Sequence, residues 1–274
     1  MTTGAHAFFL ETLILYQRSM KILTRRPIAI YFSLIQPVIW MLLFGQIFNR
    51  IASFNPTAFG GKSYFQFFVP SVLLQTLLFG AAQSGIGIIN DMQSGFLNKL
   101  LTTPVHRMAI LLGRILGDLT RMSLQGLLIV LIAWLAGQLQ AERVRYENGL
   151  PGVLAALGIA LLFGLGLASL NVFIALKTRN TESTFLIANF LTLPLLFTSS
   201  AQLPVTLLPD WLQHVARFNP VTYAIDSMRV LLNGAHAVPD EQPGPLILRT
   251  VLILGLLATL TLTLAVRSFR RSLR

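Results

Sequence analysis

Side chains able to carry covalent or acid–base chemistry are sparse in this sequence and poorly spaced for it. There is no cysteine, so disulfides, thiolate metal sites and cysteine nucleophiles are excluded. The four histidines, His6, His106, His214 and His236, are scattered, and no two stand in the His-x-x-x-His arrangement that puts a metal between imidazoles on one helix face. Asp118 is the sole carboxylate near the start of an apolar stretch, whereas a membrane-embedded lipid transferase or protease needs convergent catalytic groups. Gly60-Gly61-Lys62-Ser63 imitates the end of a phosphate-binding loop, but Pro56 stands where the first glycine belongs and no strand precedes it. The chain therefore has no nucleotide-binding motif of its own, and a membrane-embedded enzyme is the weaker reading.

What remains is noncovalent, and it concentrates in the polar break from Asn90 to Arg114. Phe96, Leu97, Leu100 and Leu101 recur at i, i+1, i+4 and i+5, which puts them on one side of a helix of about two turns over 95–104. Asn98, Lys99 and Thr102 cover its other sides. Gly95 terminates what comes before, and Pro104 prevents continuation while keeping Thr103 out of the α region. Thr103 reads as the N-cap of a second helix with Pro104 at its first position. Two roles stay open for the short helix: a linker resting on lipid headgroups, or a plug whose apolar face meets a soluble partner.

The elements that must hold this stretch are membrane helices. Of 274 residues, 54% are hydrophobic and 11% charged, with mean hydropathy +0.69; soluble domains carry about a quarter charged residues. Several windows exceed the ~20 apolar residues that cross a bilayer. The expected fold is one all-α, polytopic domain over 1–274, with spans at 28–48, 65–89, 110–139, 153–176, 184–201 and 246–266. Ahead of them, 8–26 reads as an amphipathic interfacial helix with Phe9, Leu13, Tyr16, Met20 and Leu23 on one face and Arg18, Lys21 and Arg25 elsewhere.

Gln36 beside Pro37, Gln75, Gln83 on the face of Thr76, and Asn189 are the polar candidates for lining a substrate path, helix-to-helix hydrogen bonding being the alternative for each. Arg114, Asp118 and Arg121 at i, i+4 and i+7 form a charged stripe where the third span begins, read as salt-bridged and interfacial.

Residues 202–245 are neither plain loop nor full span. Trp211, Leu212, Val215 and Phe218 make one apolar face; Asn219-Pro220 restarts a helix in which Asp226 and Arg229 pair at i, i+3, and Asn233-Gly234 stops it. This is a helical hairpin that dips into the membrane or lies flat on it. The net charge of +11 would point to nucleic acid in a soluble protein, but its distribution matters more. Fourteen of the 21 Lys and Arg fall on the side of the termini, the 90–121 stretch and the 177–183 loop, which places that side in the cytoplasm and the hairpin outside. No nucleic-acid partner is expected.

Two stretches carry a family resemblance. Asp91, Gly95, Leu100 with Leu101, Pro104 and Arg107, followed by Gly113 and Arg114, resemble the segment between the second and third membrane helices of ABC-2 type transporter permeases; the family commonly has Glu where this chain has Asp91. Pro209 to Trp211 and the run Asn219 to Arg229 resemble its P-x-W and N-P-x-T-Y-x-x-D-x-x-R segments, most like the daunorubicin-resistance branch. The resemblance implies a permease of an ABC exporter in a bacterial plasma membrane, with no cofactor of its own. ATP and Mg would sit on a separate ABC ATP-binding subunit, and a second copy of this or a similar permease would complete the path within membrane lipids. It also implies that 95–104 is a coupling helix, with Asp91, Gly95, Phe96, Leu97, Lys99, Leu100, Leu101, Pro104 and Arg107 engaging the ATPase, the apolar four in a groove and Lys99 and Arg107 at its rim. Outward movement of an amphipathic drug-like or lipid-like substrate, or of a lipid-linked polysaccharide or oligosaccharide, follows from the resemblance alone.

Overall fold

The computed structural model describes residues 4–25, 27–139, 144–239 and 241–272, with Ala5, Pro27, Ala29, Ile51, Asn98, Leu101 and Ser272 described by backbone alone. Among them there are only helices, turns and irregular connections. The chain opens with α1 (Gly4–Arg25), α2 (Pro27–Ile47) and the short α3 (Asn49–Phe54). A left-handed turn at Gly60 and Gly61 leads to α4 (Tyr64–Gln93), whose N-cap Ser63 accepts the Gln66 N–H at 3.3 Å. Then come α5 (Phe96–Leu101), α6 (Arg107–Leu139), α7 (Gly149–Thr178) and α8 (Thr181–Phe197). The chain closes with α9 (Asp210–Phe218), α10 (Pro220–Asn233) and α11 (Pro243–Ser272).

Five stretches among the described residues are long and apolar enough to cross a bilayer: Ile30–Ile47, Pro56–Gln93, Arg107–Leu139, Gly149–Thr178 and Pro243–Arg271. The span expected over 184–201 is shorter. Pro194 lies in the last turn of α8, and the chain turns from Thr198 to Ala201; its 17 residues make about 25 Å of helix against a hydrocarbon core of ~30 Å.

α4 is the axis of the bundle, packed against α2, α6, α7, α8 and α10. Phe65, Phe68, Leu73 and Leu77 of α4 share one apolar core with Met122 of α6 and Phe163 of α7. Tertiary contacts then collect at two ends. At one end Lys62 pairs with Glu147, Gln66 donates to the Arg145 carbonyl (2.8 Å), and Tyr64 donates to the Gln202 carbonyl (2.8 Å). Lys62, the lysine of the loop that imitates a phosphate cradle, is thus engaged in an ion pair. At the other end Ile88, Leu97, Leu111, Leu176 and Phe269 form a second apolar cluster, with Leu15 of α1 against it. So α1, α5, the end of α7 and the end of α11 share one end of the molecule.

The hairpin is asymmetric. Of α10, Val221, Ile225, Met228 and Leu232 are in the core, whereas α9 leaves Trp211 67% and Phe218 87% exposed. The apolar face expected of 211–218 is therefore turned outward.

Candidate functional site

The node at the α5 end is built from four helices. Gly95 takes φ +70, a left-handed conformation that glycine adopts without the Cβ penalty, and reverses the chain from α4 into α5. The helix is six residues long, shorter than the expected 95–104, because Thr102 and Thr103 donate their hydroxyls back to the carbonyls of Lys99 (2.8 Å) and Leu100 (2.6 Å). Neither Thr103 nor Pro104 starts the next helix; α6 begins at Arg107. Its first turn is capped from a distance, the Glu11 carboxylate of α1 accepting the His106 N–H at 2.8 Å and meeting His106 Nδ1 at 2.9 Å.

Within this chain the apolar face of α5, expected to act as a plug, turns toward the bundle. Leu97 is 3% exposed, and Phe96 and Leu100 are half-buried against the same bundle. The side chain of Leu101 lies outside the described residues. Two membrane helices and α1 supply enough apolar surface to take this face, so the short helix docks on its own chain. Lys99 of α5, Thr102, Thr103 and Pro104 of the turn that follows, and Arg107 at the start of α6 are exposed.

Arg18 joins the node rather than a headgroup-facing side of α1. Its guanidinium lies over the Phe96 ring, 3.6 Å from the centroid, and donates to Asp91 at 2.9 Å. Arg114 of α6 pairs with the other Asp91 oxygen, so one carboxylate joins α1, α4 and α6. This breaks up the expected stripe. Arg121 pairs with Asp118 at 3.3 Å and donates to the Gly80 carbonyl at 2.9 Å, while Arg114 turns to Asp91. Asp91 attracts Arg114 because it already sits in the cleft between α4 and α6. Close approach of α1 is permitted by glycine: a Cβ on Gly113 would lie 2.7 Å from Leu15 Cβ and 2.9 Å from the Thr12 carbonyl oxygen.

The path candidates do not converge. Gln36 and Gln83 are exposed on the outside of the bundle, although Thr76, one face-mate of Gln83, is buried. Gln75 is buried within the core. Asn189 donates to the carbonyl of Phe185 one turn back, at 2.8 Å.

At the opposite end the second resembling stretch is a structural lock. Asn219 accepts the Val221 N–H (2.9 Å) and donates to the Leu195 carbonyl (2.6 Å), so it caps α10 and ties it to α8. Arg229 is 1% exposed, and it donates to Asp226 (2.7 Å), the Ser200 carbonyl (2.6 Å) and Ser71 (3.3 Å) while lying over Phe67. Outside the membrane helices, burial raises the Tyr146 phenol above its ordinary value. No group of three or more metal-ligating side chains occurs among the described residues.

Comparison with known proteins agrees with this architecture. A family model described as ABC-2 type transporter matches residues 11–233. The chain is 30% identical over 225 residues, covering 82% of it and 74% of the relative, to a Cyanophora paradoxa protein, ycf38, whose name is that of a transport permease. It is 26% identical over 227 residues, 81% of this chain and 75% of the relative, to the daunorubicin resistance ABC transporter permease protein DrrB1 of Streptomyces coeruleorubidus. To the inner membrane transport permease YadH of Escherichia coli K12 it is 26% identical over 208 residues, 76% of this chain and 78% of the relative.

Proposed function

The chain belongs to the ABC-2 type transporter family and is a membrane permease component of an ABC-type transport system; from that premise we propose that it moves an amphipathic substrate outward, driven by ATP hydrolysed on a separate subunit. The observation that carries the reading is the node around Asp91. An exposed polar turn, Lys99 to Arg107, is fastened through Leu97, Phe96 and Asp91 to α4, α6 and α1 together. Force applied to that turn reaches two membrane helices through packed and ion-paired side chains, which is what an ATP-driven closure needs in order to shift a packed bundle. In this reading the ATPase engages Lys99, Thr102, Pro104 and Arg107, while Asp91, Gly95, Phe96, Leu97 and Leu100 hold the turn in place.

The node side is cytoplasmic, in keeping with its basic excess. α8 is the sixth crossing: it starts beside Thr178, whose hydroxyl meets Thr184 at 2.7 Å, and it leads to Ser200, which meets Asp226 at 2.8 Å in the opposite lock. The inserted α10 fills the depth that α8 leaves. A second copy of this or a similar permease completes the path, and Gln36 and Gln83, exposed on the bundle exterior, serve it only at such an interface. A drug-like cargo is supported by the daunorubicin-resistance relative.

The test is reconstitution with the ATPase in lipid vesicles. Charge reversal of Lys99 and Arg107 together lowers substrate-stimulated ATP hydrolysis by about tenfold or more, as loss of a central contact does, and leaves the permease monodisperse. Undiminished stimulation would take the polar turn out of the mechanism.

A further inference from the structure

Away from the node, at the same end of the molecule, the last turns of α7 and α11 converge on a cleft of about 610 Å³. Lys177, Arg179, Arg267 and Arg271 rim it, all exposed, and Phe173 and Leu264 form its deeper wall. Among the described residues no carboxylate lines it. Four arginines elsewhere are matched, Arg18 and Arg114 to Asp91, Arg121 to Asp118, and Arg229 to Asp226. These four cations make no ion pair among the described residues.

Helix dipoles account for part of this. Lys177 and Arg271 stand in last turns, where cations are favoured by the carbonyl ends. They do not account for Arg267, a turn earlier, or for Arg179, beyond the end of α7. Arg179 has φ +51, the one non-glycine residue with positive φ among those described, at a helix terminus where glycine is the usual occupant. The chain keeps arginine in a conformation that disfavours it, and the side chain that results lines the cleft.

Polarity is graded along the cleft. Leu264, Arg267 and Arg271 fall at i, i+3 and i+7, one stripe of α11, so the lining passes from apolar to cationic toward the helix end. Phospholipid has the same order from acyl chain to phosphate. An acidic protein surface would match the four cations but leave Phe173 and Leu264 uncovered. We propose that this cleft seats the phosphoryl headgroup of an acidic membrane phospholipid, an acyl chain lying against Phe173 and Leu264; basic pockets between membrane helices are suited to such headgroups. The assignment needs the chain to sit in a membrane, not to transport anything, and so stands or falls separately from the exporter reading.

Native mass spectrometry of the full-length protein in detergent tests it, with phosphatidylglycerol or phosphatidylcholine of identical acyl chains added. The unmodified protein retains phosphatidylglycerol in preference. Arg267→Gln with Arg271→Gln weakens that binding by about tenfold or more, as expected for two cations at a charged headgroup, and spares phosphatidylcholine. Arg179→Gly also weakens it without lowering the melting temperature, since the backbone relaxes, and Arg270→Gln, off the cleft, changes nothing. Equal retention of the two lipids, unaltered selectivity in the double variant, or equal competition by free glycerol phosphate would each overturn the proposal. So would a double variant that keeps its lipid and loses only ATPase capture, because the cations would then be a protein-docking face.

Discussion

Asp91 is the single carboxylate between two guanidiniums on different helices, and its side chain is 17% exposed. Removing its charge strands Arg18 and Arg114 in a partly closed cleft. Asp91→Asn is expected to destabilise the protein by about 1–3 kcal/mol, the cost of leaving such donors without a charged partner. Melting in detergent measures this, and a double-mutant cycle with Arg18→Ala should return coupling energy of at least ~0.5 kcal/mol. Arg229 presents the sharper case. Arg229→Met leaves Asp226 buried without its counter-charge and should cost about 3–5 kcal/mol, whereas Asp226→Asn combined with Arg229→Met should recover much of it; a double variant no better than the single would show that the guanidinium's other bonds dominate. The two pairs also differ in how legible they are. Asp226 and Arg229 are one helical turn apart, so periodicity finds them; Arg18 and Asp91 are 73 residues apart, and only the packing of α1 on α6 brings them together.

Helices differ in what their sequence can announce. The spans declare themselves by composition, and the existence of α5 by its four apolar positions. Which neighbour covers that face is not written in α5, because an inward dock and an outward plug use the same periodicity. Leu97 is buried against the bundle, and Leu97→Asp should therefore unfold the node, lowering the melting temperature, while Lys99→Glu leaves it unchanged. The start of α6 was equally hidden: its cap is Glu11, supplied by α1. Docking of α1 depends on the bare backbone of α6. Gly113→Leu should lift α1 off the bundle, read as a widened spin-label distance between the two helices with helical content retained; an unchanged distance would mean that α1 is held by its ion pairs alone.

Taken whole, the molecule separates its labour between two ends, and the separation can be measured directly because the chain has no cysteine. A cysteine at Lys99 should react with a membrane-impermeant maleimide only from the cytoplasmic side, and one at Lys62 only from the outside. Reaction of both from one side would remove the proposed topology. Five of the six expected spans answer to long apolar helices; the shortness of α8 was not legible, since 184–201 reads as a full crossing until the turn at 198–201 is known. The enclosure of Arg229 also dictates an order of assembly during biosynthesis. Its bonding partners lie on α4, on α10 itself and in the turn after α8, all made before Arg229 is, so the guanidinium can exchange its water for them as soon as α10 emerges. A nascent chain halted after Asn233 should therefore already hold this lock, with α11 still unmade.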